Sequence, residues 1–71
     1  MKENLRDLRL QSGKSVNEVA NALHITKSAV TNYEIGIRRI SIEQVLILAE
    51  LYDCTEREVI EAQINSFPND R

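Results

Sequence analysis

Apolar residues recur at three- and four-residue intervals in five stretches of this chain, and a hydroxyl side chain opens four of them. Leu5 and Leu8 mark the inward side of a first helix over about residues 2–11, with Gly13 placed for the left-handed residue that ends it. Val19, Ala20 and Leu23 mark a second helix over about 16–23, and Val30 and Tyr33 a third over about 27–34, closed by Gly36. Val45, Leu48, Ala49 and Tyr52 recur at helical spacing along a fourth helix over about 42–51. A fifth helix begins after Thr55, with Val59 and Ile60 suited to the core, Ile64 and Phe67 prolonging one apolar edge, and Pro68 as its stop. Three starts have the form Ser/Thr-x-x-Glu/Gln: Ser15 with Glu18, Ser41 with Gln44, and Thr55 with Glu58. Each such pair satisfies two otherwise unbonded backbone N–H groups, and Thr26 provides a fourth cap without the reciprocal acid. The expectation is an all-α domain of five helices, with no strand pattern.

The second and third helices are separated by only His24, Ile25 and Thr26, and the small Ala20 sits where two helices crossing steeply would touch. This is the pattern of a helix-turn-helix. With Val30 and Tyr33 inward, Lys27, Ser28, Thr31 and Asn32 form a free polar flank on the third helix, suited to the edges of bases in a major groove. An Asn amide donates and accepts at once and so matches adenine N6 and N7; a Lys donates to guanine O6 or N7; a Thr offers a hydroxyl or a methyl. Phosphate contacts are expected from helix starts and from the loop after the third helix: Lys14, Ser15, Thr26, Arg38 and Arg39. Ser15 and Thr26 are caps first, and the alternative for Arg38 and Arg39 is a pair of solvated loop charges. Glu34 lies at the C-terminal end of a helix meant to face phosphate, where a carboxylate is unfavourable without a cation beside it.

Composition narrows the picture. Seventy-one residues provide for one domain (1–71, with a core over about 4–60 and a C-terminal extension over 61–71) and one hydrophobic core. Aromatic residues make up only 4% of the chain, so Leu, Ile and Val must fill that core. One cysteine and one histidine exclude an internal disulfide and a zinc set; Cys54 reads as core filler and His24 as a turn residue. No apolar run approaches the roughly 20 residues of a membrane span, so a cytoplasmic protein is expected. The net charge of −2 is unevenly placed: residues 1–40 carry seven Lys/Arg against four acids, and residues 41–71 two Arg against seven acids. A basic half and an acidic half are compatible with a nucleic-acid partner on one side only. No histidine-paired nucleophile, Gly-rich phosphate loop or metal cluster is written in the chain, so neither an enzyme nor a cofactor is expected.

Over about residues 4–60 the chain resembles the lambda-repressor-like, Cro-type helix-turn-helix family, through LRDLRLQSGKS, VNEVANALHITKSAVTNYEIG and RRISIEQVLILAELYDCT. It departs from the family pattern where Val16 replaces a phosphate-bonding Gln, His24 a turn Gly, and Ile40 a Pro. The resemblance implies that Lys27, Ser28 and Asn32 face bases, that Arg9 is the cation that neutralises Glu34, and that the protein acts on double-stranded DNA. Single modules of this kind bind as two-fold dimers on paired half-sites. A homodimer through Ile64 and Phe67 is therefore expected, against the alternative that Phe67 folds back as a lid on its own core. The function implied is a sequence-specific transcription regulator, a bacterial or phage repressor of inverted-repeat operators; the alternative is an antitoxin-like or adaptor protein that binds another protein.

Overall fold

The computed structural model describes residues 3–67 and consists of five α-helices, with no strand among those residues. In chain order they are α1 (Leu5–Gln11), α2 (Val16–Leu23), α3 (Lys27–Glu34), α4 (Ile42–Leu51) and α5 (Glu56–Ser66). The four hydroxyl caps work as their spacing predicts: Ser15, Thr26, Ser41 and Thr55 accept from the N–H of the residue three positions on. At Ser15, Ser41 and Thr55 the return bond from the Glu or Gln side chain is also made.

The first helix is shorter than its apolar pattern predicts. Asn4 is extended at φ −106° and ψ −178°, and its side chain accepts from the Asp7 N–H while the Asp7 carboxylate accepts from the Asn4 N–H, so the helix starts at Leu5. Asn and Asp close the same reciprocal ring as Ser and Glu. Lys2 and Pro68 lie outside the described residues.

One aliphatic core joins all five helices: Leu5 and Leu8 from α1, Val19, Ala20 and Leu23 from α2, Val30 from α3, Val45, Leu48 and Ala49 from α4, and Val59 and Ala62 from α5. Ile40 and Tyr52 complete it from the two ends of α4, and Ile25, Tyr33 and Cys54 pack against it partly buried. Helix α5 departs from the expected pattern. Its inward side is Val59, Ala62 and Ser66, and Ile60 is 44% exposed. At about 100° per residue, a helix that fully buries Val59 must turn Ile60 to its flank. Buried Ser66 is bonded on both sides: its Oγ accepts from the Leu5 N–H at 3.0 Å and donates to the Ala62 carbonyl at 2.9 Å. The end of α5 thus satisfies a free N–H of the first turn of α1, across 61 residues of sequence.

Among the described residues two that are not glycine are left-handed, His24 at φ 57° and Asp53 at φ 56°. His24 directly follows α2 and Asp53 lies one residue beyond the Tyr52 C-cap of α4, where the chain must reverse before the next cap. Asp tolerates this region better than His because its short polar side chain bonds locally. His24→Gly is therefore expected to raise the unfolding free energy by up to about 1 kcal/mol, and Asp53→Gly by less. Thermal unfolding of the two variants checks this; an unchanged or lower midpoint for His24→Gly would mean that the turn carries no strain.

Candidate nucleic-acid interface

Helix α3 has eight residues, and its sides are divided sharply. Val30 is buried, and Tyr33 and Glu34 turn toward the body of the domain. The Tyr33 hydroxyl accepts a 3.2 Å bond from Gln44 Nε2, which ties α3 to the first turn of α4. At about 100° per residue, Lys27, Thr31, Ser28 and Asn32 fall within an arc of about 140° on the other side. Lys27, Ser28 and Thr31 are exposed, and Asn32 is half-buried. The Asn32 carbonyl accepts from the N–H groups of Ile37 at 2.9 Å and Arg38 at 3.3 Å. The loop that carries the two arginines is thereby folded onto the end of α3, with Gly36 left-handed at φ 88° to allow the reversal.

The residues read as phosphate contacts surround this side unevenly. Ser15 and Thr26 are exposed at the starts of α2 and α3, where the free N–H groups of a first turn offer donors to an anion. Arg38 and Arg39 are exposed in the loop after α3. Lys14 is half-buried, and its carbonyl is taken by Arg9. Ser15 and Thr26 spend their side-chain oxygens on caps, and the Ser15 N–H is taken by the Glu18 carboxylate at 2.8 Å, so what these two side chains can offer an anion is their hydroxyl protons. The Glu18 carboxyl is held below the ordinary glutamate range, first by the Ser15 backbone N–H. A carboxyl depressed in the folded state stabilises above its unfolded pKa and loses that contribution as pH falls through the folded value. Acidification is thus expected to fray the start of α2, and Glu18→Gln, which keeps the acceptor, to remove that part of the pH dependence; NMR of the α2 amides checks it.

Behind the exposed arc sits an ion pair. Arg9 Nε donates to Glu34 Oε2 at 2.7 Å and Nη2 to Oε1 at 3.2 Å, while Nη1 donates to the Lys14 carbonyl at 3.2 Å. The two side chains are only 9% and 8% exposed. The hydrogen bond to Glu34 raises the Arg9 pKa further, outweighing the opposing effect of burial. The fork joins the end of α1, the approach to α2 and the end of α3. Buried Tyr52 lies close enough that Glu34 raises its phenol pKa and Arg9 lowers it, but burial is the largest cause of a strong upward shift.

Several features outside this arc were not visible in the residue pattern. Phe67 is half-buried, with the Arg39 guanidinium 4.2 Å from its ring centroid. It therefore has an intramolecular partner, whereas Ile64 remains 52% exposed. Ile42 is 81% exposed and Leu46, one turn on, is also exposed; Ile60 and Ile64 are spaced in the same way on α5. Gln63 accepts from the Ile40 N–H, so the start of α4 and the last turns of α5 meet at one end of the pair. The i,i+4 spacing of Ile42 with Leu46, off the inward side of α4, is the signal that could have found the first two. Cys54 lines an open cleft of about 650 Å³ between the end of α1 and the α4–α5 turn. Its thiol is pushed up by burial and by nearby carboxylates, Glu58 foremost, and so stays protonated at neutral pH. Glu56, Glu58 and Glu61 are exposed, with Glu61 paired to Arg57 at 3.1 Å. Among the described residues no helix is long and apolar enough to cross a membrane.

Comparison with known proteins agrees with this geometry. The chain is 38% identical over 58 residues to the HTH-type transcriptional regulator AnsR of Bacillus subtilis, a match covering 82% of this chain and 50% of that protein. It is 39% identical over 51 residues to an HTH-type transcriptional regulatory protein of Thermococcus kodakarensis, covering 72% of this chain and 16% of that one. The chain thus spans half or less of the curated relatives it matches. No solved structure matches it. The helix-turn-helix family model matches residues 5–59, which takes in α1 to α4 and the first turn of α5, and the chain belongs to that lambda-repressor/Cro-like helix-turn-helix family.

Proposed function

We propose that this protein is a sequence-specific DNA-binding transcription regulator that inserts α3 into the major groove, with Lys27, Ser28, Thr31 and Asn32 toward the bases. The observation that carries this reading is the single arc of donors and acceptors on α3, exposed at Lys27, Ser28 and Thr31 and half-buried at Asn32, on a helix that Val30, Tyr33 and Glu34 anchor to the body of the domain. Family membership supports it, as do the two relatives, each named as a transcriptional regulator. Lys14, Ser15, Thr26, Arg38 and Arg39 contact phosphates on either side and set the register of the helix.

A single module of this size is too small to be selective at physiological salt, so the working species is a two-fold dimer on an inverted repeat. Exposed aliphatic residues of α4 and α5, Ile64 first and Ile60, Ile42 and Leu46 with it, form the contact, which takes these large side chains out of water. Ile64→Asp is expected to give a monomer in sedimentation and to weaken operator binding. An unchanged oligomeric state would remove this interface. Such a dimer represses by covering promoter DNA.

Selection of bound sites from random duplexes tests the whole reading. The expected result is an inverted repeat with half-sites about one helical turn apart, bound with an affinity that falls steeply with salt. Recovery of no sequence, together with co-purification of a basic protein on the acidic side of α5, would favour the antitoxin-like or adaptor reading instead.

A further inference from the structure

The loop between α3 and α4 is tied to the end of α5 twice. Gln63 Oε1 accepts from the Ile40 N–H, and one residue earlier the Arg39 guanidinium lies over the Phe67 ring, 4.2 Å from its centroid. Phe67 is itself placed at the last turn of α5, where its N–H donates to the Ile64 carbonyl at 3.3 Å and its φ and ψ, −83° and 119°, turn the chain out of the helix. The first tie sets the path of the backbone. The second sets a side chain that would otherwise sample many rotamers.

We infer that Phe67 is a positioning residue for DNA binding: its ring holds Arg39 in the conformation in which the guanidinium meets a phosphate, so the C-terminal turn of α5 presets the phosphate-binding loop. This rests on the DNA-binding reading above. A ring under the guanidinium plane occupies one face, while all five N–H donors point outward in that plane and remain available to an anion. Arg39 is still exposed, so its donor edge is not withheld. Stacking therefore lowers the entropy lost on binding without taking up the bonds that binding needs. A lysine in the same position would keep the charge but lose the fork and most of the stack.

The test measures binding of the full chain to a duplex carrying the selected site, across a salt series, with circular dichroism and sedimentation confirming fold and oligomeric state. A solvent-exposed cation–π contact corresponds to about a two- to fivefold change, so Phe67→Leu is expected to weaken binding by about that factor for each half-site of the dimer, and Phe67→Tyr to restore it. Arg39→Gln is expected to weaken binding further and to reduce the slope of log affinity against log salt by about 1.8, about 0.9 for each protomer. Arg39→Lys should weaken binding with the slope retained. Adding Phe67→Leu to Arg39→Gln should then have no further effect. An unchanged affinity in Phe67→Leu, tighter binding in it, or an equal loss in the Arg39→Gln background would each overturn the inference. In those cases the wild-type protein still binds and the DNA-binding reading stands. Failure of the wild type to bind any duplex would remove both.

Discussion

Arg9→Ala is expected to lower the unfolding free energy by about 3 kcal/mol, because it removes one partner of a buried pair and leaves Glu34 uncompensated. For a domain of this size that corresponds to a fall of roughly 12–24 °C in the unfolding midpoint. Three bonds are lost at once: two to Glu34 at 2.7 and 3.2 Å and one to the Lys14 carbonyl at 3.2 Å. Arg9→Lys cannot replace them, because a single ammonium does not reproduce the planar fork that spans three acceptors. The double change Arg9→Met with Glu34→Leu should recover most of the lost stability, since replacing both charges with apolar groups removes the unpaired carboxylate. DNA affinity is expected to fall in Arg9→Ala as well, because the end of α3 loses its attachment to α1. Melting identical to the wild type would show that the pair is solvated and that α3 is held by its apolar side alone.

Asn32→Ala is expected to have the largest effect on base recognition. Loss of one bidentate contact costs about 1–3 kcal/mol, or roughly 5- to 150-fold in affinity, for each half-site of the dimer. The loss should be confined to duplexes carrying the preferred base at one position of each half-site, with sequence preference relaxed there. The melting temperature should hardly change, since the bonds that organise the following loop go to the Asn32 backbone carbonyl, which alanine keeps. Arg38→Gln should behave differently, weakening all duplexes alike and reducing the salt slope by about 1.8, about 0.9 for each protomer of the dimer. Binding curves for two or three duplexes with single base changes separate the two patterns. A uniform loss in Asn32→Ala would place that side chain on phosphate rather than on a base.

The parts of this fold that were legible in the chain are those encoded locally. Ser15, Thr26, Ser41 and Thr55 announce helix starts because a cap and its partner are three residues apart, and the boundaries of α2, α3 and α4 follow from them. The Asn4 and Asp7 box obeys the same chemistry but lacks the Ser/Thr and Glu/Gln letters, so the apolar period alone extends the first helix too far. Ile60 shows a different limit. Val59 and Ile60 are equally apolar neighbours, and only the packing of α5 against the other helices decides that Val59 goes in and Ile60 stays at the flank. Nothing in the local pattern singles out Ser66, and it is buried where its Oγ accepts from the first N–H of α1, distant in sequence. The polar arc of α3 is again local, since it follows from which side Val30 and Tyr33 occupy. What surrounds the arc is not: the contact of Arg39 with the Phe67 ring depends on how the end of α5 lies against the loop.

The claim on which the functional account rests is that the Lys27 to Asn32 side of α3 occupies a major groove. Methylation interference on a selected duplex tests it most directly, because dimethyl sulfate marks guanine N7 in the major groove and adenine N3 in the minor groove. N7 methylation within each half-site is expected to block binding by the wild-type protein, and at the guanine read by Lys27 the block is expected to be lost in Lys27→Ala. Interference only at adenine N3, or none at any base while binding persists, would contradict it.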